Sequence, residues 1–220
     1  MLTVTTVAQV LQLFEFLMSS AIALFVIIDP FSVIPIYLSL TESHTVKEKR
    51  SIRLKATLIG GSILVLFAIS GMGIFNLFGI TLHAFQIAGG LLLLILGFEQ
   101  LGANRKSVKE DEEQELMQKD DISVFPLATP LLAGPGAIST VILYAGKAHD
   151  VMSSTVLIIA IILTMIATYL ILATGPLLLR MLGKTGLNLL TRLMAIILTA
   201  IAIQFVLNGI EGFWTVLSSH

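Results

Sequence analysis

Long apolar runs alternate along this chain with short clusters of charge. Val7 to Leu40 is 34 residues with Glu15 and Asp29 as its only charges. A helix crosses the ~30 Å hydrocarbon core of a bilayer with about 20 residues. This run is therefore too long for one straight span. Its break is expected at Asp29-Pro30, because proline removes a backbone donor and clashes with the preceding turn. Ala56 to Phe98 is 43 residues free of Asp, Glu, Lys and Arg. It predicts two spans with a turn in the glycine-rich stretch Gly71 to Gly79. Ile122 to Gly146 is an uncharged run holding a second broken element. Val151 to Leu179 and Leu193 to Ile210 predict the fifth and sixth spans.

Two stretches interrupt the pattern in the same way. Asp29-Pro30-Phe31-Ser32-Val33-Ile34-Pro35 has prolines five apart, and so does Thr129-Pro130-Leu131-Leu132-Ala133-Gly134-Pro135-Gly136. The matched spacing predicts an internal duplication built on two broken helices. The later Gly79-Ile80-Thr81 and Gly183-Lys184-Thr185 form a looser second match. The expected fold is an all-α membrane protein of six transmembrane helices. They form two inverted three-helix repeats, with broken first and fourth helices. Residues 1–103 make the first repeat, 104–121 a charged cytoplasmic connector, and 122–220 the second repeat.

Composition agrees with a membrane setting. The chain is 56% hydrophobic and 12% charged, with a mean hydropathy of +0.97, against about 25% charged residues in soluble domains. With no cysteine, disulfides and thiolate metal sites are excluded. No Lys or Arg precedes the first apolar run, so that run lacks the basic start of a cleavable signal and is expected to stay in the mature protein. With six full crossings, loops 41–55, 102–121 and 176–192 share one side and collect twelve of the thirteen Lys and Arg. That side is expected to be cytoplasmic. The chain is thus expected to be multi-pass in the inner (plasma) membrane with both termini extracytoplasmic. A re-entrant fourth element gives a weaker charge bias.

The candidate site follows from the two breaks. Asp before Pro is a helix start, N-cap then first helical residue, and Thr129-Pro130 reads the same way. A charge inside a span is costly and is by default a functional hypothesis. Pro35 and Pro135 are expected to leave carbonyls near Phe31 and Leu131 unpaired. Irregular backbone survives at membrane depth only where protein or water satisfies it, so the breaks are expected to face a polar cavity. Gly134 and Gly136 let backbone approach a ligand. The restarted helix N-termini suit a carboxylate and Asp29 suits an ammonium group, which together describe a site for a zwitterion. The candidate substrate-binding residues are Asp29, Pro30, Phe31, Ser32, Thr129, Pro130, Gly134, Pro135, Gly136 and Ser139. For the hydroxyls of Ser32, Ser139 and Thr140 the competing role is helix packing or backbone bonding. Gly60-Gly61 and Gly89-Gly90 read as close helix packing. Gln86 and Gln204 are in-span amides that need partners. Arg192 reads as a snorkelling residue, and Trp214 as an interfacial anchor.

Other chemistry is missing. Asp29 is the only Asp in mid-span, which disfavours an intramembrane aspartyl dyad. There is no His-Glu-x-x-His or Walker-type sequence, and no basic cluster interleaved with aromatics for nucleic acid. Neither an enzyme nor a cofactor is expected.

These stretches resemble the MarC family of bacterial and archaeal inner-membrane proteins. The matching segments are IDPFSVIPIYLSLT (28–41), GITLHAFQIAGGLLLL (79–94), PLATPLLAGPGAISTVI (126–142) and RLMAIILTAIAIQFVLNGI (192–210). The resemblance implies six helices in two inverted repeats. For the transporter members it implies movement of glycine, alanine and similar amino acids coupled to an ion gradient. It carries over Asp29, Pro30, Phe31, Pro35, Pro130, Gly134, Pro135, Gly136 and Arg192 as motif positions. Family members often have Gly-Asn where this chain has Ser32-Val33, so no asparagine amide is available at position 33. The expected function is secondary transport of small neutral amino acids by alternating access. The expected partners are a small zwitterionic amino acid, a coupling proton or sodium ion and the lipid bilayer. A passive channel or exporter for another small metabolite is the alternative.

Overall fold

The structure is a computed structural model and describes residues 2–101, 121–148 and 150–218. All regular elements among the described residues are helices. The first apolar run forms α1 (Leu2–Ile28) and α2 (Pro30–Leu40), separated at Asp29 as its proline predicts. The second forms α3 (Val46–Phe78) and α4 (Leu82–Leu101). Their turn falls at the end of the expected stretch, where Gly79 has φ +64°, a left-handed conformation that only glycine adopts freely. A further segment, Ser123–Leu132, is irregular. It is wound with π-type bonding but has extended backbone at Phe125 and Thr129. The chain continues as α5 (Pro135–Lys147) and α6 (Val151–Ser218). α6 is two arms in sequence, broken at Gly183, which also has φ +64°.

Several expectations need correction. The loop expected over 41–55 is mostly helix, since α3 begins at Val46 and carries Lys47, Lys49, Arg50, Arg53 and Lys55 on its first turns. The loop expected over 176–192 is a break at the single residue Gly183; Leu, Arg and Lys are good helix formers and carry the helix up to it. The fourth element does not begin with a half-helix, because Pro126 and Pro130 deny Ser123–Leu132 a regular ladder. Residues 104–120 of the connector, with their acidic run, lie outside the described residues.

Among the described residues, four helices are long and apolar enough to cross a membrane: Gln9–Ile28, Val46–Gly71, Val151–Gly183 and Thr185–Thr215. The pair Ser123–Leu132 and Pro135–Lys147, bent by 55°, makes five if counted as one span. Pro30–Leu40 and His83–Phe98 are apolar but shorter. Many large apolar side chains face outward along these helices, Leu66, Ile69, Leu170 and Ile196 among them, as lipid-facing helices require.

α6 is the spine, with α1, α2, α3 and α4 packed along it and α5 held by α1, α3 and α4. The main core joins Leu24 and Ile28 of α1, Ile34 and Tyr37 of α2, Leu64 of α3, Leu132, Val141 and Ile161. A second core joins Leu93 of α4 to Leu143, Leu198 and Phe205. Glycines set the closest approaches. A Cβ at Gly60 would sit 3.2 Å from Leu132, one at Gly61 3.2 Å from Met165, and one at Gly90 2.7 Å from the Ala202 carbonyl. Gly60-Gly61 and Gly89-Gly90 are thus packing positions.

Candidate functional site

At the first break the chain turns through a left-handed Asp29 (φ 44°, ψ 66°), a conformation that aspartate tolerates because its short side chain can bond locally. Asp29 is 2% exposed. Its carboxylate accepts from the Ser32 N–H at 3.4 Å and from the Ser32 hydroxyl. The carboxylate therefore caps α2, with Pro30 as the first helical residue. Phe25 and Phe31 pack edge to face across the break, centroids 6.0 Å apart. Pro30 is buried, and Phe31 and Ser32 are half-buried.

The second break differs. α5 opens at Pro135 with Gly134 as its N-cap, and there is no side-chain cap bond. Thr129-Pro130 therefore opens no helix, which corrects the expected register. Thr129 is extended, and its hydroxyl donates to the Val124 carbonyl at 3.3 Å. Pro135, as the first helical residue, breaks no ladder. Gly136 and Ala137 are buried, and the N–H groups of a helix's first turn have no acceptor within the helix. Gly134 packs on the Pro130 carbonyl, 2.3 Å from where its Cβ would lie. Pro130 and Pro135 are exposed, and Thr129 and Gly134 are half-buried.

The two breaks are neighbours. A Cβ at Gly136 would lie 3.3 Å from Ile27, two residues before Asp29, and 2.5 Å from Leu93 of α4. Ser139 lies against Gly89, its Cβ 3.1 Å from the position of a Cβ there. Thr140 donates to the Gly136 carbonyl at 2.9 Å, so this hydroxyl serves the helix backbone. Ile27 beside the first break thus meets Gly136, and Ser139 meets Gly89, at a junction of α1, α4 and α5, whereas Thr129 and Pro130 lie on the irregular segment, which packs mainly on α3. Apolar side chains pack at the second break, where Leu93 and Ile27 lie against Gly136. An open groove of about 580 Å³ lies elsewhere, between α3 and α6, with apolar walls.

Of the in-span amides, Gln204 donates to Asn208 at 2.7 Å. Gln86 is buried with its Oε1 unpaired among the described residues. Arg192 is exposed at the head of the second arm, and Trp214 is exposed near its end.

Sequence reasoning missed two features. Leu93 and Gly89 of α4 cover the second break, which no local pattern signals. Arg53, read as a loop cation, lies with its guanidinium 4.6 Å from the Tyr169 ring centre and reaches the hydroxyls of Tyr37 and Tyr169. The available signal was the tyrosines, since a buried Tyr hydroxyl seeks a partner.

Comparison with known proteins agrees with the helical architecture. The profile of the MarC family of integral membrane proteins matches residues 14–214. A UPF0056 membrane protein of Methanocaldococcus jannaschii is 39% identical over 86% of this chain and 93% of its own length. YvbG, a UPF0056 membrane protein of Bacillus subtilis, is 35% identical over 94% of this chain and all of its own. YhcE, a UPF0056 membrane protein of Escherichia coli, is 33% identical over 88% and 91%. No solved structure matches the chain significantly. The profile match and these relatives together establish that this chain belongs to the MarC family of integral membrane proteins.

Proposed function

We propose that this protein is a secondary transporter of small neutral amino acids of the glycine and alanine type. It works by alternating access, coupled to a proton or sodium ion. The observation that carries the proposal is the meeting of two helix starts inside apolar sequence, Asp29-Pro30 and Gly134-Pro135, joined through the Ile27–Gly136 contact. In this reading Asp29 binds the ammonium group or carries the coupling proton. The uncapped start of α5, with the N–H groups of Gly136 and Ala137, binds the carboxylate. Pro30, Phe31, Ser32, Thr129, Pro130, Pro135 and Ser139 shape the walls. The tight packing at Gly136 corresponds to a closed state, which substrate entry must open.

The six-helix inverted repeat belongs to the same proposal. Gly79 follows Pro30 by 49 residues and Gly183 follows Pro135 by 48, so the helix starts and the positive-φ glycines recur in step. This pairing supports residues 1–103 and 122–220 as the repeats, with Asp29 equivalent to Gly134 rather than to Thr129. His83–Phe98, about 24 Å long, would be the third crossing, and the charge bias would put both termini outside the inner membrane.

Uptake of labelled glycine and alanine into proteoliposomes under an imposed proton or sodium gradient tests the proposal. Saturable, gradient-driven flux is expected in the wild type and is lost in Asp29→Asn. Absence of saturable flux, or full coupled flux in that variant, overturns it. Flux without trans-stimulation in counterflow would instead identify a passive channel.

A further inference from the structure

Away from the breaks, the groove between α3 and the first arm of α6 ends in an unusual way. Leu58, Leu66 and Ile69 line one side and Ile162 and Ile166 the other. Its floor is the close approach of Gly61 to Met165. The hydroxyls along it turn inward to their own helix: Thr57 donates to the Arg53 carbonyl at 3.0 Å and Ser62 to the Leu58 carbonyl at 2.8 Å. The surface left open is therefore apolar. From Leu54 to Ile69 it extends about 22 Å along α3, more than half of a ~30 Å hydrocarbon core.

At the Leu54 end stands Tyr169, which lines the groove and has Arg53 stacked on its ring. Arg53 donates to the Tyr169 and Tyr37 hydroxyls at 3.5 and 3.4 Å, both at the weak limit of a hydrogen bond. Its Nε has no partner among the described residues. Arg50, exposed one turn earlier, also lies beside the Tyr169 hydroxyl. Among the described residues the one ion pair is Lys55–Asp121, so neither arginine has a carboxylate partner there. Lys47 and Lys49 add further positive charge on the same turns.

We propose that this groove is a binding site for one anionic phospholipid. An acyl chain lies between α3 and α6, and the phosphate sits on Arg50 and Arg53 beside the Tyr169 hydroxyl. Charge complementarity selects this occupant, since basic pockets between transmembrane helices suit anionic headgroups and guanidinium groups match phosphate oxygens in pairs. A zwitterionic lipid fills the groove but leaves the cations less well compensated. A second parallel copy of the chain would set the same arginines against each other across a two-fold axis.

The test uses the full chain in detergent, stripped of lipid, with native mass spectrometry and thermal unfolding. The probes are phosphatidylglycerol and phosphatidylcholine with identical acyl chains, and glycerol phosphate as the headgroup alone. Phosphatidylglycerol should be retained about five-fold or more over phosphatidylcholine, at roughly that factor per basic contact, and should raise the melting temperature. Glycerol phosphate at equal concentration should do neither. Arg50→Gln changes an exposed side chain, so it should fold normally and bring the two lipids towards equal retention. Arg53→Lys should do so partially. Leu66→Trp fills the groove and should lower retention of both lipids. Equal retention of the two lipids by the wild type overturns the proposal, as does an undiminished preference in Arg50→Gln. Undiminished retention in Leu66→Trp also overturns it, because it would show surface charge attraction alone. Glycerol phosphate binding as tightly as the lipid would show a soluble-anion site instead. A lipid-free dimer that Leu66→Trp dissociates would show a second copy in the groove.

Discussion

The two breaks solve one physical problem in opposite ways. Each opens a helix with proline in the first position inside apolar sequence. At the first, a buried carboxylate reaches the Ser32 N–H and hydroxyl, so the helix start is closed by its own chain. At the second, Gly134 stands where Asp29 would be and has no side chain to offer. The first break thus holds a carboxyl group bonded to its own helix, and the second leaves first-turn N–H groups that its own helix and N-cap side chain do not satisfy. Their backbones differ too, left-handed at Asp29 and extended at Gly134 (φ −82°, ψ 172°). Under the proposed function, a junction with one carboxyl end and one anion-seeking end suits a zwitterion, whereas two capped ends would suit only packing.

The largest expected effect tests whether the second break needs its missing side chain. A Cβ at Gly134 would lie 2.3 Å from the Pro130 carbonyl oxygen, and backbone cannot swing aside as a side-chain tip can. Gly134→Ala should cost about 3 kcal/mol, read as a lowered melting temperature in detergent and poor recovery of monodisperse protein. Gly136→Ala meets the movable Cδ2 of Leu93 and the methyl of Ile27, so about 1 kcal/mol is expected there. Equal effects of the two would show that crowding at the second break is general and not set by the Pro130 carbonyl.

The first break is sharpened by separating cap from charge. Asp29→Ala loses the bonds to Ser32 and places alanine in the left-handed region, a combined cost of about 2 kcal/mol. Asparagine caps helices comparably and tolerates that backbone, so Asp29→Asn should stay within about 0.5 kcal/mol of the wild type. If Asn preserves stability and abolishes coupled uptake, the charge serves transport and not folding. If both variants lose only stability in step and both transport normally, Asp29 is a cap.

The first break was legible because its residues obey helix grammar in order, Asp as N-cap and Pro next. The second was misplaced because Pro130 and Pro135 repeat the five-residue spacing of Pro30 and Pro35, and equal spacing looked like equal register. The grammar gives Gly134-Pro135 as the start, and Gly183 then keeps the step from Pro30 to Gly79 to within one residue when counted from Pro135. The stretch from Arg180 to Arg192 looked like a loop because its charges interrupt an apolar run. Yet nothing there except Gly183 breaks a helix. The Arg53 cluster joins residues 16 and 116 positions apart, a separation that no periodicity encodes. The packing of Leu93 over the second break is likewise tertiary.

Gly79 and Gly183 extend the comparison beyond the breaks. Both have φ +64°, and a Cβ added at either would meet no atom of the described residues within 4 Å. Alanine at either site is therefore penalised by backbone alone, about 1 kcal/mol each. Equal losses in Gly79→Ala and Gly183→Ala, additive in the double variant, would support equivalent turns in two repeats. A loss at only one would break that equivalence.

The smallest effect concerns what holds the approach to the second break. Asp121 stands just before the irregular segment. The hydroxyl and N–H of Ser123 donate to it at 2.6 and 3.0 Å, and Lys55 of α3 lies 3.2 Å from its other oxygen. The Ser123 bonds first, and then Lys55, hold its pKa below the ordinary carboxylate value. Folding therefore favours the charged form. The stabilisation is present above the ordinary value and is lost as pH falls through the lowered folded value. Asp121 and Lys55 are about half exposed, so Asp121→Asn should cost only about 0.5 kcal/mol at pH 7. The cost should shrink as pH falls below the ordinary carboxylate value and vanish only once it is below the lowered folded value. High salt should weaken the Lys55 contribution and leave that of Ser123. Thermal unfolding of both proteins from pH 7 down through the lowered folded value measures the difference. A gap that persists unchanged at the acid end would mean that shape at position 121, and not its charge, tethers the segment leading to Gly134.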